Sequence, residues 1–198
     1  MIRSFPYSLI TLLITGSLIL SSCTAGDSGK ISPEQKKDIR YVASDYMKNM
    51  QGVLLSSVHK YGIEKAAAVC SDTAMKLTAN YGGARGIYIN RVSLKYRNPA
   101  DAPDKFEKKI LLEFQAMLDK GELNRESDYF EMTKEAGRNV IRYMRPLFTG
   151  GLCLSCHGDQ KKLLPGIKTL LERKYPGDKA VDYKEGELRG AVSIKKFI

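Results

Sequence analysis

The chain has no tryptophan, only two histidines (His59 and His157), only four cysteines and, beyond its first 22 residues, no apolar run long enough to cross a bilayer. Each scarcity removes a class of protein. Four cysteines in 198 residues are too few for a disulfide scaffold, so each needs an explanation from its own surroundings. The lack of later apolar runs excludes a polytopic membrane protein. What the chain does have is charge: 32 Lys+Arg against 22 Asp+Glu, a formal net charge of +10, with 43% hydrophobic residues. That balance fills and covers one core, and it excludes wholesale disorder and a collagen-like chain.

The first residues read as an address. Arg3 supplies a positive start, Leu9–Leu20 form an apolar stretch too short to span a membrane comfortably, and Leu20-Ser21-Ser22-Cys23 places small residues just before a cysteine. This pattern predicts a lipoprotein signal peptide over residues 1–22, with Cys23 as the lipidated first residue of the mature chain. An ordinary cleaved signal with an incidental Cys23 is the alternative. Thr24 rather than Asp follows the cysteine, so in a Gram-negative cell the expected location is the periplasmic side of the outer membrane. Removing Arg3 and no acid leaves 31 − 22 = +9 on the mature chain. Residues 23–31, with Gly26, Asp27, Ser28 and Gly29, read as a flexible tether to a single domain over 32–198.

Gly150-Gly151-Leu152-Cys153-Leu154-Ser155-Cys156-His157-Gly158 contains C-x-x-C-H, the attachment signature of a c-type haem. Two thiols at this spacing reach the vinyl groups on one porphyrin edge, and the adjacent imidazole reaches the iron. Cys153 and Cys156 are therefore expected as covalent links and His157 as the proximal iron ligand. A zinc site would need two more ligands at suitable spacing, and only the distant His59 and Cys70 remain. A redox dithiol would open a helix in an alternating β/α pattern, which is missing. One motif implies one haem c, whose propionates reduce the net charge by about two and leave the domain basic. Basic surface of this kind suits anionic headgroups or an acidic redox protein, or is simply solvated; the expected compartment disfavours nucleic acid.

With those three cysteines assigned, Cys70 has no partner within the chain. Ala66, Cys70, Ala74 and Leu77 share one face of a helical stretch, and small side chains there would let the backbone approach a flat ring. Cys70 is then either the second axial ligand, as thiolate, or a small buried hydrophobe in a helix seam. His59 and Met47, Met50, Met75, Met117, Met132 and Met144 compete for the same role, though such residues more often fill cores or cap helices.

The remaining pattern predicts α+β. Ser32-Pro33-Glu34-Gln35 opens a long helix that ends near Tyr61-Gly62, and a second helix carries Cys70 to Tyr81-Gly82-Gly83, where glycine suits a left-handed cap. Gly86–Lys95 reads as a strand, and a third helix capped by Asp104 and Glu107 runs to about Leu118. Ser127–Thr133 and Asn139–Met144 read as strands joined through Glu135-Ala136-Gly137. Gln160–Arg173 reads as a helix interrupted at Pro165-Gly166, and Arg189–Phe197 as a closing strand. Long helices first and strands later imply an antiparallel sheet.

Ala68-Val69-Cys70, the run Arg91-Val92-Ser93-Leu94-Lys95-Tyr96-Arg97-Asn98-Pro99 with Ala102-Pro103-Asp104, the haem motif, and Gly186-Glu187-Leu188-Arg189-Gly190-Ala191-Val192-Ser193-Ile194 together resemble a family of single-haem c-type domains. That family has a PAS-like α+β fold, was first characterised from cyanobacteria, and also occurs as extracytoplasmic sensor modules. The resemblance spans about residue 36 to the C-terminus. It implies iron held between His157 and Cys70, and Arg91, Lys95 and Arg97 beside the shared turn as propionate contacts, with surface charge and turn structure as the alternative. The functional expectation is one-electron transfer through a low-potential haem to an unidentified redox protein. The alternative is a redox or CO/NO sensor in which the Cys70 ligand is released. No acid/base constellation accompanies the motif, so catalysis is not expected.

Overall fold

The computed structural model describes Met1 and residues 29–198; the expected signal peptide, and the lipidation of Cys23, lie outside the described residues. Helix α1 (Pro33–Tyr61) begins as its sequence dictates, with the Ser32 hydroxyl accepting from the Gln35 amide at 3.2 Å and the Gln35 side chain accepting from the Ser32 amide at 2.9 Å. Gly62 breaks the chain at φ +76°, and α2 (Ile63–Gly83) folds back along α1. At its end Gly82 acts by size and not by handedness. Its φ is not positive, and a Cβ would lie 2.7 Å from the Ile87 carbonyl oxygen; the left-handed residue is Gly86, at φ +63°.

Strand β1 (Tyr88–Val92) is shorter than the expected Gly86–Lys95 because Ser93 leaves the sheet, its amide donating to the Asp101 carbonyl at 3.1 Å and its hydroxyl to the Arg189 carbonyl at 2.7 Å. Helix α3 (Lys105–Asp119) has the expected capping box of Asp104 and Glu107. Strands β2 (Tyr129–Glu135) and β3 (Arg138–Phe148) form a hairpin whose two turn residues, Ala136 and Gly137, both take positive φ. Strand β3 runs four residues past the expected end and tolerates Pro146 because β2 stops at the Tyr129–Met144 pair, leaving Pro146 alongside β4 only. After the short helix α4 (Leu154–His157), Gln160–Lys162 forms one tight turn and α5 spans Pro165–Lys174. Pro165 thus opens this helix and does not interrupt it. Strand β4 (Leu188–Phe197) completes an antiparallel sheet ordered β1-β4-β3-β2. The α+β class read from the sequence is the class observed.

Alternation along the strands divides the core. Ile141, Tyr143, Val192 and Ile194 face Ile39, Ala43 and Tyr46 of α1, whereas Met144, Ala191 and Val92 face Ile110, Leu111 and Phe114 of α3. A third, smaller cluster, Leu163, Ile167 and Leu171 with Ile63, Ala67 and Cys156 against it, joins α5 to α2 beside the haem motif.

The α3 face also buries charge. Arg142 bonds Asp104 at 2.8 Å and Glu135 at 2.9 Å, lies 3.7 Å from Glu107, and stacks over Phe106, while Ser193 donates to Glu107 at 2.6 Å. Burial pushes the Asp104 carboxyl up, but the Glu107 amide, Arg142 and Lys195 together hold it below its ordinary 3.8. A depressed carboxyl stabilises the fold fully above its unfolded value and ceases to do so as pH falls through the folded value. Urea midpoints measured from pH 7 downward should therefore drop below about pH 4, and Asp104→Asn should flatten that drop. Arg142→Met, which strands the buried Glu107 carboxylate, should cost about 3–5 kcal/mol.

Candidate cofactor site

The C-x-x-C-H motif lies on α4 and its two flanking turns, at the end of the sheet where β3 finishes. Gly158 closes the turn after His157 with its amide on the Leu154 carbonyl at 2.9 Å, and a Cβ there would stand 2.6 Å from that same oxygen, so only glycine fits. The His157 ring is tied through Nδ1 to the Ala180 carbonyl at 2.7 Å. A carbonyl accepts, so Nδ1 carries the proton and the Nε2 lone pair is the one free to bind a metal. Burial, and then the cations of Arg189, Arg97 and Arg91, hold the imidazole neutral well below its ordinary range, outweighing the Ala180 bond.

Ala180 belongs to a strap, residues 178–183, that wraps the motif. The Asp182 amide donates to Gly158 at 2.9 Å, the Tyr183 amide to His157 at 3.0 Å, and the Gln160 amide to the Asp182 side chain at 2.9 Å. Asp182 sits at φ +57°, a left-handed conformation that Asp tolerates better than most residues. Arg97 locks the strap to the motif: Nε pairs with Asp178 at 2.9 Å, and the terminal nitrogen donates to Cys156 at 2.5 Å and Ala180 at 3.2 Å. Lys95 donates to the Val181 carbonyl at 2.6 Å and lies 4.2 Å from the Tyr183 ring, whose edge meets His157.

Cys70 stands on the half-buried stretch of α2, close enough to Cys156 that its thiolate would oppose the ionisation of Cys156. Burial raises the Cys70 thiol above its ordinary value, against the pull of Arg91. Cys70 and Cys153 both lie near Cys156, the residue that precedes His157 in the chain. The competitors fall elsewhere: His59 is exposed, Met47, Met50 and Met132 pack in the α1 core, Met117 and Met144 in the α3 core, and Met75 is exposed.

The three expected propionate residues differ in what they do. Lys95 and Arg97 are spent on the strap, whereas Arg91 keeps a buried Nε with no hydrogen-bond partner among the described residues. Arg189, expected as the start of the closing strand and as part of a run that carries the family resemblance but not as a site residue, joins them near His157 and Asp101. Asp101 was also missed; its carboxyl is raised by burial, against Arg91 and Arg189, and its Oδ1 is buried without a partner among the described residues.

Arg97 and Asp178 are both largely shielded, at 14% and 10% exposure, whereas the Arg85–Asp45 pair stands at 37% and 29%. Arg97→Leu should cost about 3 kcal/mol or more by stranding Asp178, whereas Arg85→Leu should cost under about 1 kcal/mol. Thermal unfolding of the two variants checks this; equal shifts would contradict the role given to Arg97.

Comparison with known proteins agrees with this architecture. The crystal structure of the cyanobacterial heme-protein Tll0287 superposes with a TM-score of 0.63, covering 84% of this chain and 97% of that one at 21% identity, which speaks to the fold. Among curated proteins none matches the chain. The model of the Tll0287-like family matches residues 25–196, nearly the whole chain, and the protein belongs to that family.

Proposed function

We propose that the protein is an extracytoplasmic monohaem c-type cytochrome, anchored by lipid at Cys23, that passes single electrons to and from a redox protein. The observation that carries this reading is the convergence of the C-x-x-C-H thiols, a histidine whose Nδ1 is committed to a backbone carbonyl, and the otherwise unexplained Cys70. Its kinship with a family whose solved relative is a heme-protein supports it. The residues suit the cofactor. Cys153 and Cys156 would carry the thioether links, His157 Nε2 and the Cys70 sulfur would hold the iron, and the unpartnered Arg91 Nε awaits an acceptor such as a propionate.

Bound haem supplies a one-electron iron couple; everything else is the work of the chain. The Ala180 carbonyl fixes the tautomer and plane of the imidazole and makes it a stronger donor. Arg97 keeps that carbonyl in place, so little rearrangement accompanies a change in charge. An anionic sulfur donor from Cys70 favours the oxidised state, which gives a low potential relative to His/Met ligation. Among the described residues no three His, Cys, Asp or Glu side chains gather as a metal-ion site of their own would require. No described helix is long and apolar enough to cross a membrane.

The holoprotein should remain low-spin in both the ferric and the dithionite-reduced states, with an absorption spectrum that CO leaves unchanged. Cys70→Ala should open the ferrous form to CO. Ready CO binding by the wild type would shift the reading to a redox or diatomic-gas sensor in which the Cys70 side is released. Haem extracted by acid and organic solvent from the wild type, but not from a true thioether adduct, would contradict the assignment of Cys153 and Cys156.

A further inference from the structure

Strand β4 carries an irregularity beside the site. Leu147 pairs with Gly190 and Phe148 with Leu188, so Arg189 is an extra residue without a partner on β3. Strict alternation would send Arg189 to the α3 face with Ala191. A bulge breaks that alternation and re-aims a side chain. Gly190 makes this bulge feasible: it takes φ +153°, and a Cβ would meet the Val92 carbonyl oxygen at 2.2 Å and the Ser93 side chain at 3.1 Å, so no other residue fits.

The re-aimed guanidinium lies 5.3 Å from the centre of the Tyr183 ring and donates to the Lys95 carbonyl at the long distance of 3.4 Å. Arg91 on the neighbouring strand faces the same ground with its buried, unpartnered Nε, and both cations bear on His157 and Asp101. Two guanidiniums with donors to spare outnumber the one carboxylate beside them, a balance that suits a second, incoming carboxylate held by charge-assisted bonds.

We propose that Arg189, aimed by the Gly190 bulge, and Arg91 form a carboxylate-binding pair that receives a haem propionate. This rests on the proposed haem c reading. Lys95 and Arg97 then act on the strap and Arg91 and Arg189 on the cofactor, a division of labour among four cations that share one neighbourhood.

The test uses the wild-type holoprotein with Arg189→Gln, Arg189→Lys and Arg91→Gln, each titrated for its reduction potential at pH 7 after covalent haem has been verified. Loss of a cation from the propionate should disfavour the reduced state about tenfold, a downward shift of about 59 mV for one electron. Arg189→Lys should recover more than half of that shift, and Arg91→Gln should move the potential in the same direction as Arg189→Gln. With the propionates isotopically labelled, their carboxylate bands in the reduced-minus-oxidised infrared spectrum should shift in Arg189→Gln. A reduction equilibrium constant within twofold of wild type in Arg189→Gln, a shift that Arg189→Lys does not recover, or unmoved propionate bands would each overturn the pair. Should Arg189→Gln fail to mature, Arg91→Gln decides by the same criteria. Absence of covalent haem from the wild type would defeat the cytochrome reading itself, and so is distinguishable from failure of the pair.

Discussion

The structure around the motif depends on one hydrogen bond, from His157 Nδ1 to the Ala180 carbonyl. A C-x-x-C-H sequence places a histidine near a porphyrin but does not say which nitrogen faces it or how firmly the ring is held. Here the answer comes from 23 residues further on, where the chain returns as a strap and offers a backbone oxygen. That oxygen is useful only while it stays put, and it stays because Arg97 grips it, Asp178 and Cys156 at once. The interaction links three segments distant in sequence, so it exists only in the folded chain.

The sheet supplies the frame for this arrangement. Strands β3 and β4 are buried on both faces, by α1 on one side and α3 on the other, and they deliver the motif and Arg189 to the same end of the domain. Helix α2, which carries Cys70, is held against β1 by the close approach at Gly82 and against α5 by the small cluster around Ile167, in which Cys156 of the motif also packs. The charge that Arg142 buries in the α3 face is paired through its two terminal nitrogens with Asp104 and Glu135, while its Nε has no hydrogen-bond partner among the described residues. The cations around the motif, Arg91, Arg97 and Arg189, are a different set.

Much of this was legible in the sequence where a local rule governs. The capping boxes at Ser32 and Asp104, the hairpin turn at Ala136-Gly137 and the C-x-x-C-H motif each follow from a few adjacent residues. The residues proposed as ligands, Cys70 and His157, stand out in the sequence, one by its isolation among the cysteines and one by its motif. Cues that are tertiary were not legible. Gly82 reads as a cap until Ile87 is seen beside it, Ser93 reads as strand until its partners Asp101 and Arg189 appear, and Pro165 reads as a breaker until α5 is seen to begin there. Arg189 could not be singled out because nothing local distinguishes a bulged residue from the strand that contains it. The one available signal was its Gly190 neighbour in a strand otherwise rich in β-formers.

In the proposed function Cys70 and His157 would both hold the iron of one haem. Iron X-ray absorption of the ferric holoprotein measures this directly, since sulfur and nitrogen neighbours scatter at different distances. The expected spectrum has one sulfur among the iron's nearest neighbours, and that sulfur is lost in Cys70→Ala while the covalent haem remains. A wild-type spectrum with nitrogen neighbours alone, unchanged by Cys70→Ala, would contradict the account.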